Sequence, residues 1–233
     1  MLQPPFINGE FYHVYNRGVD KRTIFKSHRD FERFVIALFL FNDVKSRDYD
    51  LTTINLRGLT SYPNTEKLVD VVQWSLMKNH FHFLLRQRVD GGISLFMQKV
   101  GTGYTLYFNK KHERSGRLFQ GTFKAKRVKN DEHFIRLASY IPLNPLELYF
   151  HEWERKGVPP EETSAAKQYL RQYIWTSYND YFFEDLIPGF ISKKVFFKAF
   201  GSHDAYKKYI DFYLKNGVSD TNARKDTRLN LVD

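Results

Sequence analysis

The sequence predicts an α+β domain of the ferredoxin-like, split βαβ type: an antiparallel sheet with helices packed on it. Strand-like runs recur at residues 11–16, 69–77, 81–86 and 118–128, and helix-like periodicity fills the gaps in the order β-α-β-β-α-β-α. Hydrophobic residues make up 42% of the 233 positions, with 22 Phe and 15 Tyr, enough to build a core around such a sheet. The expected arrangement puts the helices on one face and leaves the other free for a ligand.

Phe11 to Asn16 reads as a short strand ended by Arg17-Gly18. Asp30 is the expected cap of a helix to about Lys45, with Phe31, Phe34, Val35, Leu38 and Phe39 on its apolar face. Residues 46–67 are polar, contain Gly58 and Pro63, and read as an irregular insertion. Val69 to Met77 and Phe81 to Arg86 flank Lys78-Asn79 as a hairpin. After Gly91-Gly92, a helix is expected from Ile93 to Asn109, weakened by Gly101 and Gly103. Gly101-Thr-Gly103 lacks the other glycines and the lysine of a phosphate loop, so nucleotide binding is discounted. Leu118 to Val128 reads as a long strand with a bulge at Gly121, and Asp131 opens a helix to Tyr140 or slightly beyond. This core is assigned to residues 1–155. Gly157-Val-Pro-Pro160 reads as a linker, 161–215 as a helical C-terminal extension, and 216–233 as a flexible tail.

With no cysteine, disulfides and thiolate–zinc sites are excluded, and any metal must be held by nitrogen and oxygen. The N-terminal residues lack the charge and apolar run of a signal peptide, and the longest apolar run, 34–41, is too short to span a bilayer, so a cytoplasmic protein is expected. The formal net charge is +10. Residues 110–129 concentrate it: Lys110, Lys111, Arg114, Arg117, Lys124, Lys126, Arg127 and Lys129 stand against Glu113 alone. Such a stripe suits a polyanion, and a solvated basic hairpin is the plainer reading.

His80 and His82 are two apart in a strand and therefore share a face, with Phe81 directed to the opposite side. Neutral imidazoles suit Mn²⁺, Co²⁺, Ni²⁺ or Zn²⁺ better than Mg²⁺. Tyr140 and Asn144 are four apart, which puts them on one helical face if the helix continues. Pro142 and Pro145 argue instead for an end at Tyr140, with Asn144 on a tight turn. Packing and turn stabilisation are the ordinary roles for such residues taken singly.

Taken together, the segments Tyr12-His-Val-Tyr-Asn-Arg-Gly18, Met77-Lys-Asn-His-Phe-His-Phe83, Tyr107-Phe-Asn-Lys-Lys-His112, Gly116-Arg-Leu-Phe-Gln-Gly-Thr-Phe-Lys124, Tyr140-Ile-Pro-Leu-Asn-Pro145 and Trp175-Thr-Ser-Tyr178 resemble the HUH-type single-tyrosine transposases, in particular the REP-associated tyrosine transposase (RAYT) branch. The resemblance covers about residues 9–150. It implies the HUH endonuclease fold, a divalent metal ion (Mg or Mn) at His80, His82 and Asn144, and Tyr140 as nucleophile. The implied activity is cleavage and rejoining of single-stranded hairpin or palindromic DNA through a 5′-phosphotyrosine. The chain departs from the family pattern at Lys78, Pro142 and Phe119, the first two beside the implied site.

Arg17, Lys110, Lys111, Arg114, Arg117, Lys124, Lys126 and Arg127 are the expected DNA contacts, and aromatics on an open sheet face would stack on unpaired bases. A structural turn is an equal reading of Arg17-Gly18. No base for Tyr140 stands out; lysines and His133 qualify by nearness in sequence alone. The alternatives are a non-cutting single-stranded nucleic-acid-binding module of the same architecture, a metal phosphodiesterase that uses water, and a replication-initiation-type nickase. Monomer and homodimer both stay open.

Overall fold

The computed structural model describes residues 6–45, 49, 53–62 and 66–218. Part of the 46–67 insertion and the tail from residue 219 lie outside the described residues.

Four strands form one sheet: β1 (Phe11–Arg17), β2 (Val69–Met77), β3 (His80–Gln87) and β4 (Lys124–Arg127). Their spatial order is β2-β3-β1-β4, and every neighbouring pair is antiparallel. With the helices α1 (His28–Leu40), α2 (Gly92–Lys111) and α3 (Asp131–Leu143), this is the expected βαββαβα order.

One face carries Val14, Phe81 and Phe83 and is covered by α1 and α2; the Phe34 ring of α1 lies 5.3 Å from Phe81. The two helices approach closely, because a side chain at Gly103 would meet the Phe41 ring at 2.8 Å. Gly101-Thr-Gly103 is thus a helix-packing feature.

The opposite face was expected to be open, and over β2 and β3 it is not. There α3 lies across it, with Tyr140 against His82, and its first turn reaches the end of β1, where Phe134 meets Phe11 at 4.9 Å. All nine residues of β2 are buried, and on this face they are Asp70, Gln73, Ser75 and Met77, with Gln73 bonded to the Tyr206 and Ser177 hydroxyls of the covering C-terminal segment. The β1–β4 half of this face stays partly exposed.

Three boundaries differ from expectation. Helix α1 starts at His28 with Ser27 as cap, and Asp30 is its third residue, accepting the Ser27 N–H at 3.0 Å. It ends at Leu40, since the Asn42 amide pairs with both backbone groups of Val69 (2.9 and 3.0 Å) and draws the chain onto β2. The long strand at 118–128 is reduced to Lys124–Arg127: Gly121 turns the chain at φ +139°, and ahead of it Phe119 makes only an isolated bridge to Gly18.

Beyond residue 150 come α4 (Trp153–Lys156), α5 (Thr163–Gln172), α6 (Tyr178–Phe182), α7 (Lys193–Phe200) and α8 (His203–Asn216). They close the outer edge of β2. The Leu76 N–H donates to Trp175 O, Ser177 N–H to Trp74 O and Ser192 N–H to Val71 O, each at 2.9 Å. The Tyr181 and Tyr173 hydroxyls donate to Val72 O and Leu76 O, each at 2.7 Å. The Trp175-Thr-Ser segment therefore acts as an edge cover for β2, which satisfies backbone groups that would otherwise invite another strand.

Candidate metal and nucleophile site

His80 and His82 project together from β3, their ring centroids 5.1 Å apart. Each has one ring nitrogen already engaged. Asn79 donates its amide N–H to Lys21 O, so its oxygen faces His80 Nδ1 at 2.6 Å. That contact makes Nδ1 the protonated nitrogen and leaves Nε2 with a lone pair. His82 Nδ1 meets His13 Nε2 at 2.9 Å, again leaving Nε2 available. Burial, with the Arg17 charge behind it, brings the His80 imidazole down to about 4. Burial, then His13 and His80, holds His82 well below the usual histidine range. Both rings are neutral at neutral pH, the form that binds metals.

Tyr140 and Asn144 reach the same place because α3 does not stop at Tyr140. Pro142 lies inside the helix and cannot bond the Ala138 carbonyl; the Tyr206 hydroxyl of α8 donates to that carbonyl instead, at 2.9 Å. The Pro142 carbonyl accepts from the Thr176 hydroxyl at 3.1 Å. Asn144 keeps helical angles (φ −51°, ψ −35°) despite Pro145, so it stays one turn from Tyr140 on the same face.

The Tyr140 ring is 5.6 Å from His82 on one side and stacks on Trp153 on the other, 6.3 Å away and within 14° of parallel. Glu154 of α4 lies near enough to the phenol to act on it. Burial, then the charges of Glu154 and Glu147, pushes this phenol far above its usual range. Asn144 is fully buried, and its carboxamide lies near enough to act on both His80 and the Tyr140 hydroxyl. Neither its oxygen nor its nitrogen has a partner of ordinary hydrogen-bond geometry. A buried amide without partners is costly unless something else binds there. Two available imidazole nitrogens beside an orphaned amide oxygen fit a divalent cation. Among the described residues, no group of three His, Cys, Asp or Glu side chains makes a metal site without such an amide.

Residues 45–144 match the family model described as "Transposase IS200 like". The matched stretch runs from the end of the α1 region to Asn144 and so contains His80, His82, Tyr140 and Asn144. No curated protein matches the chain. Among solved structures, the chain is similar to a REP-associated tyrosine transposase bound to a REP hairpin, at 12% identity and a TM-score of 0.48, over 81% of this chain and 88% of that one. No helix among the described residues is long and apolar enough to cross a membrane.

Around the candidate site the basic residues divide into three groups. Arg17 lies directly opposite His80, and Lys124 and Lys126 lie opposite Tyr15 and His13, so all three share the histidine face. Lys110 and Arg117 are exposed elsewhere. The remaining three are held by the fold: Lys111 by buried Asp30 at 2.7 Å, Arg114 by Asn109 and the Arg117 carbonyl, Arg127 by Glu10 at 3.0 Å. Gly18 is a packing position, since a side chain there would meet Arg22 O at 2.3 Å. His133, at the far end of α3 and two turns from Tyr140, accepts from the Lys129 N–H and does not reach the phenol.

Sequence reasoning missed His13, Asn79, Trp153 and Glu154. His13 had a signal, because it alternates with Tyr15 and Arg17 on the strand paired with β3. Trp153 and Glu154 had none, because they sit on a four-residue helix between the Tyr140–Pro145 and Trp175–Tyr178 segments.

Proposed function

We propose that this chain is a DNA transposase of the REP-associated branch that cuts and rejoins single-stranded hairpin DNA through a 5′-phosphotyrosine. Tyr140 is the nucleophile, and His80, His82 and Asn144 hold a divalent cation, Mg or Mn. The observation that carries this reading is the meeting of one phenol, two imidazoles with available nitrogens and one orphaned amide within a single chain. When bound, the cation supplies Lewis-acid polarisation of the scissile phosphate and offsets charge in the transition state.

The protein's own groups do the rest. Trp153 and His82 fix the Tyr140 ring between them, so the hydroxyl is aimed before DNA arrives. The Tyr140 oxygen attacks phosphorus, the bond to the 3′-oxygen breaks, and the 3′-hydroxyl leaves with its fragment. Attack by another 3′-hydroxyl reverses the step and joins strands without an external energy source. Arg17, Lys124 and Lys126, on the histidine face, draw the backbone towards the phenol.

The test is incubation with a hairpin-bearing single strand and Mn²⁺ or Mg²⁺, followed by a denaturing gel. A covalent protein–DNA band is expected in the wild type, absent in Tyr140→Phe and strongly reduced in His80→Ala. Cutting that survives in Tyr140→Phe would assign hydrolysis by water, and binding without a covalent band in the wild type would assign a non-cutting module.

A further inference from the structure

We propose that His13 is the positioning residue that makes His82 a metal ligand: its Nε2 accepts the His82 Nδ1 proton and so leaves the lone pair of His82 Nε2 for the cation. This rests on the reading of His80, His82 and Asn144 as the ligands. The two nitrogens lie 2.9 Å apart, an ordinary hydrogen-bond distance. A bond between two neutral imidazoles holds a single proton, and its direction decides where the remaining proton of the inner ring sits. If His82 donates, its Nε2 carries a lone pair. If His13 donates, the His82 proton lies on Nε2, and that nitrogen cannot ligate. A ligating histidine ordinarily gives its other ring N–H to an outer acceptor, which fixes both its tautomer and its orientation.

His80 already has such an acceptor. The Asn79 amide nitrogen is committed to Lys21 O at 3.1 Å, so it is the oxygen that faces His80 Nδ1. His82 engages its own outer partner through the same ring nitrogen, Nδ1. The difference lies in the partner: an amide oxygen can only accept, whereas an imidazole nitrogen can accept or donate. The tautomer of His13 therefore sets that of His82. A cation on His82 Nε2 requires the His13 proton to be on Nδ1, so that its Nε2 is the one with the lone pair.

The place of His13 is built into the sheet. Strand β1 lies between β3 and β4, and His13 is paired with Leu84 on one side and Lys126 on the other. Tyr15, two residues further along the same face, stands directly opposite His82, so His13 reaches His82 along the diagonal. The His13 ring centroid is 4.9 Å from Tyr15 and 5.1 Å from His82, with the planes within 29° and 21° of parallel. Tyr140 meets the His82 ring edge-on at 5.6 Å. These ring contacts hold the His82 plane, and the bond to His13 selects which of its nitrogens carries the proton.

The experiment takes the full chain, free of metal, with its histidines labelled with ¹⁵N. Long-range ¹H–¹⁵N spectra separate a protonated ring nitrogen from one with a lone pair, and the His82 ring is assigned by its loss in His82→Gln. In the wild type His82 is expected as the Nδ1–H tautomer. His13→Phe keeps an aromatic ring against Tyr15 but cannot hydrogen-bond, and His82 should there lose that preference. Titration with Mn²⁺, followed by the paramagnetic resonance of the free ion, should show affinity lowered roughly 10–100-fold in His13→Phe. His13→Gln, whose amide oxygen can accept the His82 proton, should recover most of that loss. His82 found as the Nε2–H tautomer in the wild type would overturn the proposal, as would His13→Phe binding Mn²⁺ within about threefold of wild type. Both results would leave Tyr140 as nucleophile untouched. A wild type whose His82 is Nδ1–H but which binds no Mn²⁺ would instead remove the metal reading on which this rests.

Discussion

The two edges of the sheet have opposite characters. At one edge β2 runs nine residues, all buried, with the C-terminal segment bonded along its outer side. At the other β4 runs four residues, Lys-Ala-Lys-Arg, mostly exposed. The candidate site lies between them, on β3 and β1. The buried edge packs against α3 and therefore sets where Tyr140 and Asn144 sit. The exposed edge holds no part of that geometry and brings positive charge to the same face. Positioning and attraction are thus supplied by different strands, and substitutions should separate them.

The largest effect is expected from Trp74→Ala on β2. Trp74 is fully buried, and its indole N–H donates to Asp180 at 2.8 Å, across to the C-terminal helices. Truncation should lower unfolding free energy by roughly 3–5 kcal/mol in urea titration, from the cavity and the carboxylate left without its donor. Adduct formation should fall with it. A loss below about 1 kcal/mol would mean that the buried edge is not the anchor.

The buried edge was legible in the sequence and its consequence was not. The β-branched run from Val69 marked a strand, but its second face carries Asp70, Gln73 and Ser75, which read as polar and are covered only because distant residues such as Tyr206 and Ser177 bond to them. The histidine pair was readable because strand period alone sets its face. The continuation of α3 was not, because Pro142 breaks a helix by every local rule. What rescues it is the Tyr206 hydroxyl, 68 residues from the carbonyl it serves. Glu154 was invisible for a related reason: its helix exists through contacts with residues 214–218. The strand at 118–128 failed in the other direction, its β-rich composition overruled by the turn at Gly121.

That account of Pro142 is testable by a double-mutant cycle of intermediate size. Tyr206→Phe removes the donor to Ala138 O and the acceptor of the Gln73 amide, both buried. Alone it should cost about 1–3 kcal/mol. Pro142→Ala restores an N–H able to bond the Ala138 carbonyl from within the helix. In the Pro142→Ala background, Tyr206→Phe should therefore cost less, by a coupling of about 0.5–1.5 kcal/mol. Strict additivity would show that the hydroxyl does not substitute for the missing helical bond.

The smallest effects should come from β4, and they should appear in binding rather than stability. Lys124→Gln with Lys126→Gln is expected to leave unfolding free energy within about 0.5 kcal/mol. Its mark should be in the salt dependence of single-strand binding. Each phosphate contact contributes about 0.7 to the slope of log K against log salt, so losing two should flatten it by about 1.4. Arg127, one residue further on, is the internal control. Glu10 already holds its guanidinium at 3.0 Å, and contact with phosphate would first have to break that pair. Arg127→Gln should therefore change the slope less than either lysine does. If it changes the slope more, β4 binds DNA through the face that carries Arg127, and the backbone does not run along the histidine side as the positions of Lys124 and Lys126 require.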